Sequence, residues 1–167
     1  MSDFKSMEAY MNAQSIDETS TTKKLPLGTI IRAKDDASTD YGVGEFIYLL
    51  GVASTVVGSV VVYSQDDNST ALASANAIGP IAVSMSANVA NQYGWYQISG
   101  KGAAKVLAGF ADNGDCYLTS TAGSVDDADV AGDYINGMKG ASAIDTPSTG
   151  LAEVELSRPF CRNGLDD

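Results

Sequence analysis

Histidine is absent from the 167 residues, so the chain lacks the commonest general base and a frequent zinc ligand. This absence excludes the imidazole of a Ser-His-Asp triad. No GxSxG elbow is present, and no SxxK motif has a plausible set of partners. Because no spacing pairs a nucleophile with a lysine or carboxylate, the sequence predicts a protein that is not an enzyme and has no catalytic residues.

Basic residues are also scarce, with 10 Lys and Arg against 21 Asp and Glu and a formal net charge of −11 at pH 7. Between Lys34 and Lys101 the chain contains neither Lys nor Arg. A nucleic-acid binder needs a basic stripe that displaces counterions, and an anionic membrane repels an acidic chain. We therefore expect neither nucleic acid nor a membrane as a partner.

The chain has only two cysteines, Cys116 and Cys161, and they form no CxxC pair. Their positions favour two reduced thiols in a cytosolic setting, although a disulfide between them stays open. The N-terminus has no basic segment followed by an apolar one, so the sequence predicts no secretory signal.

Acidic residues cluster at several turns, and one cluster resembles a calcium loop. The stretch Asp127-Ala-Asp129-Val-Ala-Gly132 begins like an EF-hand, but Ala131 and Met138 stand where an acidic or amide ligand and the bidentate Glu belong. The glycines of Tyr41-Gly-Val-Gly44 and Gly100-Lys-Gly102 match no phosphate-binding loop. We predict no metal and no cofactor, and a hairpin turn at Gly100–Gly102.

One long segment without charge, Phe46–Gln65, is long enough to cross a bilayer. Its flanks are acidic, and Gly51 and Gly58 interrupt it. Two short β-branched runs, Phe46–Leu50 and Ser59–Tyr63, fit this pattern better than a membrane helix.

Short runs rich in Val, Ile, Tyr and Leu recur after residue 26, separated by Gly, Asp, Asn and Ser. The predicted strands are Gly28–Lys34, Glu45–Leu50, Ser59–Ser64, Ile81–Ser86, Tyr93–Ser99, Ala104–Ala108, Asp115–Ser120, Ile135–Ala141 and Ala152–Leu156. Regular short strands with such turns indicate an all-β fold, namely an antiparallel barrel or sandwich. Because these strands carry few charges, their exposed edges are prone to pair with other strands, so either subunit contacts or loops of the same chain must cover them.

The first 26 residues differ from the rest, so we predict an N-terminal arm (1–26) followed by a single β domain (27–167). Within residues 2–12, four apolar side chains have helical spacing, which predicts a short helix that is stable only when docked. These candidate capsid- or subunit-contact residues are Phe4, Met7, Tyr10 and Met11.

The stretch NQYGWYQISG (Asn91–Gly100) holds the only tryptophan, Trp95, beside Tyr93 and Tyr96. Strand alternation puts Tyr93 and Trp95 on one face and Tyr96 on the other. Three such rings can fill a core, pack at a subunit interface or stack on a sugar. We favour packing of these rings over sugar stacking, and we add the three residues to the candidate capsid- or subunit-contact residues. Whether the rings fill the core of the domain or an interface between subunits stays open.

Four stretches together resemble small β-rich virion proteins of tailed bacteriophages, above all head decoration (cement) proteins. They are VGSVVVY (Val57–Tyr63), IGPIAV (Ile78–Val83), QYGWYQISG (Gln92–Gly100) and DCYLTS (Asp115–Ser120). The resemblance covers about residues 42–158 and lies in strand order and composition, with no single specific motif.

The resemblance implies a non-enzymatic decoration protein that binds the major capsid protein on the outer head surface and stabilises contacts between capsomers. It implies a homo-oligomer, with a trimer favoured over a dimer, made in the host bacterial cytoplasm and located in the virion. An arm such as residues 1–26 would reach a neighbouring subunit. The alternative is another virion component, such as a tail or fibre adaptor or a carbohydrate-binding module that uses Trp95.

Overall fold

The computed structural model describes residues 4–6 and 13–162, and every helix-or-strand element in that part of the chain is a β-strand. The strands are β1 (Phe4–Ser6), β2 (Thr19–Ser20), β3 (Ile30–Asp35), β4 (Val43–Leu50), β5 (Val60–Tyr63), β6 (Thr70–Leu72), β7 (Gly79–Ser84), β8 (Tyr93–Lys105), β9 (Asp115–Leu118), β10 (Val125–Asp126), β11 (Tyr134–Gly140) and β12 (Leu151–Cys161). All strand pairs are antiparallel, and together they form one sheet in the order β1-β3-β4-β8-β7-β12-β11-β9-β10, with β2, β5 and β6 attached beside it.

Strand β8 is the centre of this arrangement, because it pairs with β2, β4, β7 and β12. Its first half pairs with β4, and from Ser99 onwards it pairs with β12. At the changeover Gly100 has a φ of 95°, a conformation that glycine adopts easily. The side-chain amide of Gln97 donates to the backbone oxygens of Ser99 (3.2 Å) and Lys101 (3.0 Å), which supports this bend.

The predicted hairpin turn at Gly100–Gly102 is therefore wrong, because the strand runs through these glycines. The turn-forming residues bend β8 between two partner strands and do not reverse the chain.

Alternation on β3 separates a core face from an outer face. On β3, Ile31 and Ala33 are buried, while Ile30, Arg32 and Lys34 are exposed. The buried side joins an aromatic-rich cluster (Phe4, Ile16, Ile31, Ala33, Tyr41, Phe46, Tyr48 and Trp95). Strand periodicity thus places Ile31 and Ala33 inside and the charged Arg32 and Lys34 outside.

Two further clusters fill the rest of the interior. The larger contains side chains from β5, β7, β8, β9, β11 and β12, including Val83, Leu118 and Val154. The smaller contains side chains from β4, β5, β7 and β8, including Leu49 and Tyr96. Strand β8 therefore contributes to all three clusters: Trp95 to the aromatic-rich cluster, Ala104 to the larger one and Tyr96 to the smaller one.

The prediction of an all-β chain with antiparallel strands is confirmed. The charge-free segment forms β4 and β5 as expected, and within the described residues no helix is long and apolar enough to cross a bilayer. The predicted strand Tyr93–Ser99 lies within β8, whereas Ala104–Ala108 overlaps β8 only at Ala104 and Lys105. The short strands β1, β2, β6 and β10 were not expected.

The predicted N-terminal helix is not supported, because residues 4–6 form β1 and no described residue is helical. Phe4 lies opposite Asp35 of β3, and its ring packs edge-on against Phe46 with centroids 4.7 Å apart. The apolar residue that suggested a helical stripe is instead the inward residue of an edge strand. The remainder of the predicted helix, including Met7, Tyr10 and Met11, lies outside the described residues.

Candidate interaction surfaces

The three rings of the Tyr93–Tyr96 stretch are positioned by β8 and pack on two different sides of it. Trp95 is fully buried, with its ring centroid 5.0 Å from that of Tyr48. Tyr96 is fully buried in another cluster, and its hydroxyl accepts a hydrogen bond of 3.0 Å from the Asn88 side chain. Tyr93 is half-buried and stacks on Tyr48. Their assignment as capsid or subunit contacts stays a prediction, and for Trp95 and Tyr96 the buried position favours packing within the chain.

The segment that covers Trp95 comes from the predicted arm. Gln14 is buried, and its backbone oxygen accepts a 3.0 Å hydrogen bond from the Trp95 indole. Its side-chain oxygen accepts from the Tyr48 hydroxyl at 2.7 Å, and its side-chain nitrogen donates to the backbone oxygens of Glu18 and Tyr93, both at 2.8 Å. Sequence reasoning missed Gln14, because a lone polar residue in a polar stretch gives no signal of burial.

A half-open cleft lies where these N-terminal residues meet the β domain. We name it the N-terminal cleft; its volume is about 450 Å³. Its lining residues are Phe4, Ile16, Asp17, Tyr41, Val57, Ser84, Met85, Ala103, Pro147, Ser148 and Leu151. Most of this lining is apolar, and Val57 is one of the exposed large apolar residues of the described chain. Of the predicted contact residues, Phe4 lies in this cleft.

Tyr41 lines the N-terminal cleft. Its hydroxyl is buried and lies near the carboxylate of Glu153. Burial, followed by the nearby carboxylate of Glu153, raises the pKa of Tyr41, so the hydroxyl keeps its proton at neutral pH. Lys101 forms a 2.7 Å ion pair with Glu153 and lies 5.9 Å from the centre of the Tyr41 ring.

A second cleft, the junction cleft, lies where β7, β8 and β12 meet, with a volume of about 380 Å³. Its lining residues are Gly28, Ile30, Ile47, Tyr63, Gln65, Asn68, Pro80, Ile98, Arg158, Pro159 and Phe160. Arg158 has a φ of 46°, and its guanidinium holds one oxygen of Glu45 through two nitrogens at 3.0 and 3.1 Å. Ile30 and Phe160 leave about two-fifths of their surface exposed, at 42% and 38%.

The outer face of β1, β3 and β4 collects basic residues that are scattered in the sequence. Lys5 lies directly opposite Lys34, and Arg32 lies directly opposite Glu45, the partner of Arg158. We call Lys5, Arg32, Lys34 and Arg158 the basic face. The sequence did not reveal this face, because its four cations come from three strands that are distant in the chain.

The turns around β9, β10 and β11 carry the opposite charge. We call Asp112, Asp115, Asp126, Asp127 and Asp129 the acidic end. No Lys or Arg occurs between Lys105 and Lys139. Within residues 4–6 and 13–162, no three His, Cys, Asp or Glu side chains are grouped to hold a metal ion. Asp127 instead accepts a 2.9 Å hydrogen bond from the Ala111 amide, as turn carboxylates often do.

Both cysteines are free thiols in the interior, and no disulfide joins them. Burial raises the pKa of Cys116 and of Cys161 from 9.0 to about 12, with nearby aspartates adding to the effect. A thiol with so high a pKa is neutral and a poor nucleophile at neutral pH.

No protein-family model, curated protein or solved structure matches this chain.

Proposed function

We propose that the chain is a non-enzymatic decoration protein of a phage head, which binds the major capsid protein on the outer surface and stabilises contacts between capsomers. The observation that carries this proposal is the N-terminal cleft. It combines an apolar lining and an exposed Val57 on a frame of twelve strands. Such a cleft suits an apolar side chain of a partner.

The rigidity of the frame supports the same proposal. Strand β12 pairs with both β8 and β7, and Val106, directly after β8, forms an isolated parallel bridge with Val125 of β10. We infer an incomplete barrel, in which β8 through β12 close around the largest apolar cluster. A decoration protein needs a stiff body that repeats the same weak contacts over a lattice, since many such contacts together give high avidity.

The described part of the N-terminal arm packs on its own β domain, so deleting the arm would also disturb the domain. Deleting residues 1–26 would remove Gln14 and Ile16 and uncover Trp95. If such a deletion abolished capsid binding, the cause could be either a lost arm contact or an unfolded domain. Point substitutions at the cleft are the sharper experiment.

The test compares two exposed apolar residues with the same substitution. Val57→Asp places a carboxylate at the N-terminal cleft, whereas Ile78→Asp places one at the most exposed of the large apolar residues, outside the cleft. We expect Val57→Asp to weaken co-sedimentation with phage heads at least tenfold and Ile78→Asp to leave it unchanged. Equal binding by both variants, with unchanged unfolding curves, would count against the cleft as the contact.

The carbohydrate-binding alternative relied on Trp95, and the geometry does not favour it. Sugar stacking needs an open ring face, and Trp95 is fully buried under Gln14 and beside Tyr48.

We also propose that the chain forms a homo-oligomer within the virion.

A further inference from the structure

We propose that the basic face of one copy docks on the acidic end of a second copy. It rests on the homo-oligomer of the proposed function and names the two surfaces that meet in it. Because self-association is measured on the purified chain alone, it can fail while attachment to the head holds. It begins from the separation of charge within the sheet. The basic face lies on β1, β3 and the bulge of β12, whereas the acidic end lies on the turns of β9, β10 and β11.

The basic face is unusual for a chain with a net charge of −11. It carries four of the chain's 10 Lys and Arg residues, of which Lys34 forms an ion pair with Asp36 at 3.3 Å and Arg158 forms one with Glu45. Lys5 and Lys34 occupy directly opposite positions on antiparallel strands. Four cations gathered on one face attract an acidic partner surface.

The acidic end has the complementary character. None of the ion pairs within residues 13–162 involves its five aspartates. Asp115 and Asp129 lie near Tyr117, and burial together with these carboxylates raises the pKa of Tyr117. Lys139 hydrogen-bonds Asn113 and lies directly opposite Asp115 in the register of β9 and β11. Asp112, Asp126, Asp127 and Asp129 therefore supply most of the negative charge that this end presents.

Apolar residues accompany the charge on both surfaces. Ile30 and Phe160 lie beside Arg158 in the junction cleft. At the acidic end Val130 and Tyr134 are exposed, and Tyr134 packs against Tyr117 with ring centroids 5.7 Å apart. Specific interfaces bury apolar and aromatic residues in the centre and place charges at the rim, which is the composition found here on both sides.

A second copy is the occupant that these observations favour. Each copy carries both surfaces, and each surface supplies the charge that the other lacks. Complementary surfaces direct association and exclude the wrong pairing, since two basic faces or two acidic ends repel. A contact between two different surfaces closes into a ring when the rotation between copies allows it.

The test uses sedimentation velocity on the full chain and two charge-reversed variants. Arg32→Glu with Lys34→Glu reverses the basic face, and Asp115→Lys with Asp129→Lys reverses the acidic end. The wild type should form oligomers at about 50 mM NaCl that dissociate at about 500 mM, because salt screens exposed charges. Each variant alone should self-associate at least tenfold more weakly, and an equimolar mixture of the two should associate again.

The control variant, Lys23→Glu with Lys24→Glu, makes the same change in net charge as the reversed basic face. Both positions are exposed and belong to neither surface, so this variant should associate like the wild type. If the reversed basic face fails to fold by circular dichroism, Arg32→Gln with Lys34→Gln replaces it and should still weaken association. A monomeric wild type, variants that associate normally, or a mixture of folded variants that stays monomeric would each overturn the proposal.

Discussion

Trp95 and Gln14 are joined by a 3.0 Å hydrogen bond from the indole nitrogen to a backbone oxygen 81 residues away in sequence. This bond ties the N-terminal segment to the central strand. The Gln14 side chain adds three further hydrogen bonds, including one from the Tyr48 hydroxyl. The only tryptophan is thus covered by the chain's own N-terminal residues, which are part of the folded unit.

Replacing Gln14 should destabilise the protein substantially. Gln14→Ala leaves the buried Tyr48 hydroxyl without its acceptor, and an unsatisfied buried polar group costs about 1–3 kcal/mol. We expect a loss of about 2–3 kcal/mol in the free energy of unfolding, measured by urea titration with tryptophan fluorescence. Gln65→Ala, the same substitution at an exposed glutamine, should change it by less than about 0.5 kcal/mol.

The fluorescence of Trp95 should report a sealed interior. Because the ring is fully buried, emission should be blue-shifted and acrylamide should quench it weakly until the protein unfolds. A panel of bacterial surface glycans should leave the native spectrum unchanged. A saturable glycan-induced shift would show that the ring, or a group in contact with it, meets a ligand.

The two buried thiols predict a loss of stability at alkaline pH. Their pKa is about 12 in the folded protein and near 9.0 when exposed, so folding keeps protons bound above pH 9.0 that the unfolded chain releases. The stabilisation is complete below about pH 9 and is lost as the pH rises towards 12. Unfolding free energies measured from pH 7 to 11 should therefore fall above about pH 9, and Cys161→Ala should reduce the slope.

At about pH 8 the same thiols should resist a thiol reagent such as DTNB until denaturant is added. Rapid modification of the native protein would contradict their burial and their raised pKa.

Gly51 follows β4 and packs closely against another loop. An added Cβ would collide with the backbone oxygens of Asn88 and Val89, which cannot move as a side chain can. Gly51→Ala should cost about 3 kcal/mol. Gly42→Ala meets nothing within 4 Å and carries only the strain of its φ of 65°, so it should cost about 1 kcal/mol. Thermal unfolding of the two variants checks this order, and a reversed order would contradict the close approach at Gly51.

The all-β fold could be predicted because strands leave a local signal. Alternation and β-branched runs marked β3, β4, β5 and β11 within a few residues of their bounds. The strands of two or three residues could not be found, since so few residues show no period. At Gly100–Gly102 the predicted hairpin was wrong, because whether glycines reverse or only bend a strand depends on partner strands distant in sequence.

The candidate surfaces were harder to predict for the same reason. Aromatic rings drew attention to Trp95, yet its burial depends on Gln14, which no sequence pattern marks. The basic face depends on the register between Lys5 and Lys34 and on a bulge that brings Arg158 to Glu45. Such juxtapositions arise only from the tertiary pairing of strands.

Adding the purified chain to phage heads assembled without it tests the proposed attachment. We expect saturable co-sedimentation with a fixed number of copies per head, and greater resistance of the decorated heads to heat. Heads that bind no chain at saturating concentration, or that bind it without a plateau, would contradict attachment to the head.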